Sequence, residues 1–344
     1  MRTLFFLAVC TLTACQNTVE NTDSPPLAVR YPTELREHPD EKSRTLSHLP
    51  VGTALTDRGE TSRFLAAVFL ENSLSREPWL RVHTTSGQTG WVFAGTVEPR
   101  LRDAEARQRW LHKKRTQAMF GAAASARLWN WATSPHPTTD TAFAGHLRTG
   151  LYLRDTLDRA LTHAVSRETE QMPADLSWLR EPMRYFWIQD RLSLDFRLVA
   201  QAAAHTAGQQ DDQFAAVGLA AFPLDSIESA LPAWVFPLSI EASCSNLGAG
   251  LHVAILEKID SALHLGSLFR PELMRMKDQI LADILDNSRT YWQPRNKVLT
   301  ELDRILATRF ACLTDRDRLA LTTRRVMLAR SGEGGIRVNV RSGR

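Results

Sequence analysis

Trp79-Leu80-Arg81-Val82, followed by Gly87-Gln88-Thr89-Gly90-Trp91-Val92, is the stretch from which the fold can be read. It gives two short strands, each headed by an aromatic residue, joined by a polar turn at residues 84–87. Strand formers on both sides and glycine at the turn are what a tight β-hairpin requires. Leu80 and Val82 alternate with Arg81 and His83, as a strand with one buried face demands.

Working upstream, Leu35-Arg36-Glu37-His38-Pro39 is a strand ending in L-R and a turn with proline. Leu46, Leu49-Pro50 and Gly52-Thr53 then give L-x-x-L-P-x-G-T. This pattern, followed by W-x-x-V, a turn and G-x-T-G-W-V, resembles the start and the end of a bacterial SH3 (SH3b) domain. The resemblance covers about 70 of the 344 residues. It implies a small all-β, SH3-like barrel over residues 30–99, of a kind that attaches secreted bacterial proteins to peptidoglycan or to other proteins. Trp79 and Trp91 are the candidates for stacking on a ligand, against the alternative that each packs the barrel. Residues 64–70 are an uninterrupted apolar run, expected to form a strand buried on both faces. The segment 59–78 is longer than the resemblance leads one to expect.

The N-terminus reads as an address. Met1-Arg2-Thr3 is a short positive start, residues 4–9 are apolar, and Leu12-Thr13-Ala14-Cys15 closes the segment. That is the layout of a secretory signal over residues 1–14. Its last four residues resemble the lipobox of bacterial lipoproteins, which implies lipidation of Cys15. Two or three acyl chains, at ~0.8 kcal/mol per buried CH₂, hold a protein on a membrane almost irreversibly. Gln16 rather than Asp after the cysteine favours the outer membrane. Residues 15–29 are polar with two prolines and read as a flexible tether.

After Pro99 the texture changes, and residues 100–331 read as a mainly α-helical domain of no recognised family. Residues 101–131 are rich in Ala, Arg, Gln and Leu, with no glycine or proline before Gly121. Thr138-Thr139-Asp140 offers an N-cap for a helix over 141–168. Met183, Trp187 and Leu194 recur near helical spacing within 174–206. Residues 220–250 are irregular. Periodicity returns with Leu273, Met276, Ile280 and Ile284, and again with Leu302, Ile305, Leu306, Phe310 and Leu313.

The chemistry sought in this region is sparse. No metal-ligand spacing, nucleophile elbow, P-loop or dinucleotide fingerprint occurs, so no metal or cofactor is expected. Asn246-Leu247-Gly248-Ala249-Gly250 is a poor phosphate cradle and a good helix-start loop. Glu228 and Glu241, in the irregular middle near Trp234 and Phe236, are the candidates for a general acid in a wall hydrolase. The longer glutamate-serine signatures of lytic transglycosylases are missing. Arg107, Arg109, His112, Lys113, Lys114 and Arg115 form a basic run, expected to be a solvated helix face.

The totals fit this outline. Length suggests about two domains. A net charge of +4, from 42 basic and 38 acidic residues, is too slight to argue for nucleic acid. Cys244 and Cys312 are the thiols left once Cys10 departs with the signal and Cys15 carries lipid, and an oxidising compartment leads one to expect a disulfide between them. At the chain's end, residues 332–344 contain Val338-Asn339-Val340-Arg341-Ser342-Gly343, which resembles the first strand of a second SH3b domain. This suggests a reading frame shortened relative to a longer relative. The expectation is an envelope lipoprotein without catalytic activity, anchored in a membrane and binding wall or protein partners. The alternative is a wall hydrolase targeted by its SH3b module.

Overall fold

A computed structural model describes residues 24–167, 176–188, 192–223, 231–237, 243–266 and 268–330. By its contacts the chain divides into two compact units, the first running to Ser125 and the second beginning at Ala126.

The first unit is built on an antiparallel sheet. Its strands are β1 (Leu27–Val29), β2 (Thr33–Arg36), β3 (Thr45–Leu49) and β4 (Ala54–Thr61). A separate hairpin, β5 (Ala66–Leu70) and β6 (Ser73–Glu77), interrupts the series before β7 (Trp79–Thr84), β8 (Thr89–Phe93) and β9 (Val97–Pro99). The order across the seven-stranded sheet is β3-β2-β8-β7-β4-β1-β9. The expected hairpin is present: Leu80 faces Val92 and Val82 faces Gly90. The Gly87 amide donates to the Thr84 carbonyl at 3.1 Å, with Gly87 at φ +91°. Leu27, Leu35, Leu55, Leu80, Val82 and Val92 form one buried cluster. Gly90 is required by this packing, since a Cβ there would lie 2.7 Å from both the Arg36 carbonyl oxygen and Leu35 Cγ.

Residues 64–70 do not form the strand buried on both faces that their composition suggested. Among the described residues β5 pairs only with β6, from Ala66 opposite Glu77 to Leu70 opposite Ser73. One of its faces is half-buried and the other open, and Phe69 is 76 % exposed. The cause is topological: with a single partner strand and one covered side, half of an apolar run must meet water.

Helix α1 (Ala104–Phe120) belongs to the first unit, and Asp103 caps it by accepting from the Glu105 and Ala106 amides. The basic run on it is not a solvated face. His112 and Lys114 are buried, and Trp110 joins the sheet's apolar cluster. Lys114 Nζ lies 2.6 Å from Asp57 Oδ2 of β4. Arg115 grips Glu77 with two hydrogen bonds, at 2.9 and 2.5 Å, and Gln117 Nε2 donates to the Gly59 carbonyl at 2.6 Å. Glycine ends the helix at Gly121, φ +83°, and α2 (Ala122–Thr133) follows.

The second unit is mainly helical: α3 (Asp140–Arg167), α4 (Phe196–Ala203), α5 (Gln210–Ala221), α6 (Leu251–Leu265), α7 (Arg270–Leu285), α8 (Arg295–Ala307) and α9 (Asp315–Ala329). Thr139 opens α3, its hydroxyl oxygen accepting from the Ala142 amide at 3.2 Å. Leu273, Met276, Ile280, Ile284, Leu302 and Ile305 are buried, as their spacing required. The expected helix over 174–206 is shorter than its pattern suggested. β10 (Phe186–Ile188) and β11 (Leu192–Leu194) pair antiparallel, and helix begins only at α4, capped by Asp195. The aromatic and β-branched run Phe186-Trp187-Ile188 favours a strand there, and Leu192-Ser193-Leu194 pairs with it. A second small pair joins β12 (Val235–Pro237) to β13 (Ser243–Ser245).

Candidate functional site

In the first unit a cleft of about 560 Å³ opens between the turn after β2 and the start of the β5–β6 hairpin. Pro39, Asp40, Glu41 and Lys42 form one wall; Phe64, Leu65, Ala66 and Ala67, with Arg76 and Trp79, form the rest. The wall is preformed by local chemistry. Asp40 Oδ1 accepts from the Lys42 amide at 2.9 Å, an Asx turn. Arg44 clasps Glu37 with bonds of 3.1 and 3.0 Å, and Arg36 Nη1 donates to the Ser43 carbonyl at 2.7 Å. The opposite side is largely apolar, with Phe64 exposed; beyond the cleft on the same hairpin, Phe69 and Leu74 are exposed and face each other.

The two tryptophans singled out by the sequence part company. Trp79 is 4 % exposed and packs edge-on against Phe93, at 5.9 Å between ring centres. Its amide donates to Ser62 Oγ at 3.0 Å, so it is a packing residue that also lines the cleft. Trp91 is half-buried, lies opposite Arg36 and Arg81 on the neighbouring strands, and is not among the residues lining the cleft. Phe64, Leu65, Ala66 and Ala67, which line the cleft, were read in the sequence only as part of an apolar strand; the unusual length of 59–78 was the local sign of the added hairpin.

In the second unit the glycine loop does hold an anion, and that anion is the protein's own. The amides of Gly248 and Gly250 donate to Glu301 Oε2 at 2.5 and 2.9 Å, and that of Val253 donates to Oε1 at 3.1 Å. These are the free N–H groups of the start of α6, and a carboxylate satisfies them as a phosphate would. Gly248 sits at φ +101°, and a Cβ there would lie 2.9 Å from the Val298 amide nitrogen. The loop is therefore a helix start closed from α8, not a vacant phosphate cradle.

Beside it lies a buried set that no local motif announces. Ser245 Oγ donates to Asp283 Oδ2 at 2.5 Å, and His252 Nε2 meets the same oxygen at 3.0 Å. Ser245 and His252 are 0 % exposed. In a nucleophilic triad the imidazole stands between hydroxyl and carboxylate. Here the carboxylate stands between the other two, so the serine proton is held by Asp283 and Ser245 Oγ accepts from the Leu247 amide at 3.1 Å. The arrangement fixes the β13–α6 junction and does not activate a nucleophile.

Glu228, Glu241 and Cys15 lie outside the described residues, as does the C-terminal segment from 332. Trp234 is buried against Phe222, and Phe236 stacks on Trp292 at 4.1 Å. The expected disulfide is not formed: Cys244 and Cys312 are both buried free thiols. Each has its own surroundings. Cys244 Sγ lies 3.7 Å from the Phe236 carbonyl, whereas the Cys312 amide donates to Asp260 Oδ1 at 2.9 Å. Burial, reinforced by Asp260, pushes the Cys312 thiol up to about 12. Burial, with Arg184 and His136 nearby, holds His146 down at about 4, so its ring, stacked on Trp131, is neutral near pH 7. Among the described residues no group of three or more His, Cys, Asp or Glu side chains could hold a metal ion, and no helix is long and apolar enough to cross a membrane.

Set against family models, curated proteins and solved structures, the chain finds no match.

Proposed function

We propose that this chain is an envelope lipoprotein without catalytic activity, anchored in a membrane through Cys15, the outer membrane being favoured. Its N-terminal β unit, an SH3b-like module, binds cell wall or protein partners. The observation that carries the binding role is the cleft beside the hairpin, with one polar preformed wall and an apolar side left in solvent. Ligand sites combine apolar lining with a few placed polar groups in this way. The anchor rests on the sequence of residues 1–15, where a signal and a lipobox coincide.

The test is co-sedimentation of the full chain with purified insoluble sacculi and, separately, with envelope proteins freed of sacculi. Retention by either, reduced at least tenfold by Phe64→Lys with the fold intact, is the expected result. No retention by either, or retention indifferent to Phe64, defeats the reading. Cys15→Ser should abolish fatty-acid labelling and release the protein from membranes. A zymogram that clears, and stops clearing in Glu228→Gln or Glu241→Gln, would replace this proposal with a hydrolase.

A further inference from the structure

Among the described residues the outer edge of β5 has no partner strand. Its turn, Glu71-Asn72, has both residues at positive φ, +47° and +68°, the geometry of a two-residue hairpin connection. The pair that closes such a turn, Leu70 with Ser73, is hydrogen-bonded, and bonded pairs alternate along an antiparallel ladder. Val68 and Ala66 therefore bond inward to β6, while the amides and carbonyls of Ala67 and Phe69 point out from the free edge of β5. Natural sheets blunt such an edge with lysine, proline or a bulge. This one reads Ala-Ala-Val-Phe-Leu, without a charge or a proline, and Phe69 stands in solvent.

The charges lie at the two ends. Arg63 precedes the strand and Glu71 follows it; both are exposed, and neither has an ion pair among the described residues. If two copies of β5 pair antiparallel about Ala67, the bend at Arg63 that leads into one strand comes near the turn at Glu71 that ends the other. The two-fold repeats that contact, giving two opposite-charge pairs. Among registers that keep the outward groups opposed, only this one brings those charges together. We infer that the free edge of β5 joins a second copy of this chain through an isologous strand pair centred on Ala67. This goes beyond the wall- or partner-binding reading and stands or falls without it.

The test uses the full chain in detergent, with mass determined by sedimentation. Wild type should be a dimer at micromolar concentration. Arg63→Glu and Glu71→Lys each set two like-charge contacts across the pair, and each should weaken the dimer roughly tenfold, since exposed pairs contribute little apiece. Mixing the two variants should restore a heterodimer, because each then supplies the charge that the other lacks. Ala67→Cys, on the axis, should give an oxidised dimer band far more readily than Ser73→Cys on the other strand. A chain that stays monomeric, single variants that dimerise as wild type does, or a mixture that fails to recover would each overturn the inference. Ala67 lies on the dimer axis and also lines the cleft, so the cleft's binding test is repeated with Arg63→Glu at a concentration where it is monomeric, and the two proposals then fail separately.

Discussion

The β5–β6 hairpin and the β13–α6 junction invert each other. In the hairpin, apolar side chains lie outside, with Phe69 76 % exposed beside Leu74 and Phe64. At the junction, polar side chains lie inside: Ser245 and His252 are fully buried, with Asp283 and Glu301 almost so. Hydropathy alone would have placed the two groups the other way round. What separates them is whether each group finds partners. Glu301 accepts from three backbone amides, and Asp283 takes Ser245 and His252 on Oδ2 while Oδ1 lies 3.3 Å from Arg289 Nε in an ion pair. The outer face of β5 finds no neighbour among the described residues, and we read apolar surface left open in this way as a surface used for contact.

The largest effect that separates the two regions should come from Glu301→Ala. It strands three amides at the start of α6, and we expect a loss of about 3–5 kcal/mol in the stability of the second unit. Phe69→Ser, by contrast, should change the stability of the monomer, measured below the concentration at which copies pair, by no more than about 0.5 kcal/mol, since the side chain is mostly in water there. Urea unfolding followed by circular dichroism checks both. Comparable losses would erase the distinction between an interior network and an open surface.

Next in size is the hairpin's anchor. Glu77 at its base is 4 % exposed and held by Arg115 of α1. Arg115→Ala leaves that carboxylate buried without its cation, a change of about 1–3 kcal/mol. Hydrogen exchange should show the hairpin amides opening while those of Leu80, Val82 and Val92 stay protected. Uniform loosening of the whole sheet would show that the hairpin is not a separate element.

The second unit should also respond to acid through His146. Its folded value, about 4, lies below the ordinary histidine value of 6.5. The unfolded chain therefore takes up a proton first. Stability should be complete above about pH 6.5, fall as the pH is lowered towards 4, and level off below. His146→Gln should flatten that fall, as read from unfolding midpoints across the range. The thiols give a sharper check of the same interior. With Cys312 buried and raised to about 12, its alkylation in the native protein between pH 7 and 9 should stay far slower than in the unfolded chain at the same pH. After unfolding without reductant, the peptides carrying Cys244 and Cys312 should both be alkylated. The smallest effect belongs to the hairpin turn: Asn72→Gly, at φ +68°, should stabilise it by no more than about 0.5 kcal/mol.

How much of this was legible in the sequence depended on the range of each signal. The Trp79–Val92 hairpin and the stripes of α7 and α8 were plain, because alternation and helical spacing are local patterns. The fate of residues 64–70 was not, because composition shows that a strand is apolar but not how many neighbours it will have. The basic run on α1 was misjudged for a similar reason. Lys114 and Arg115 find Asp57 and Glu77 far back in the chain, and such pairs leave no mark on local spacing. Ser245, His252 and Asp283 meet from three different elements, so no motif could bring them together on paper. The glycine loop was read correctly as a helix start, yet the carboxylate that fills it lies over fifty residues downstream on α8. The disulfide expected from cysteine count and compartment gave way to two separately buried thiols.

The central claim is that the open apolar surface of the first unit, and not the polar interior of the second, is where this protein meets its partner. Hydrogen exchange of the full chain, with and without saturating solubilised wall fragments or the envelope protein it retains, tests it most directly. The account predicts slowed exchange confined to residues 38–42 and 64–70, with the amides of Gly248, Gly250 and Val253 unchanged. Protection that appears only in the second unit, or at no amide of the first, would contradict it.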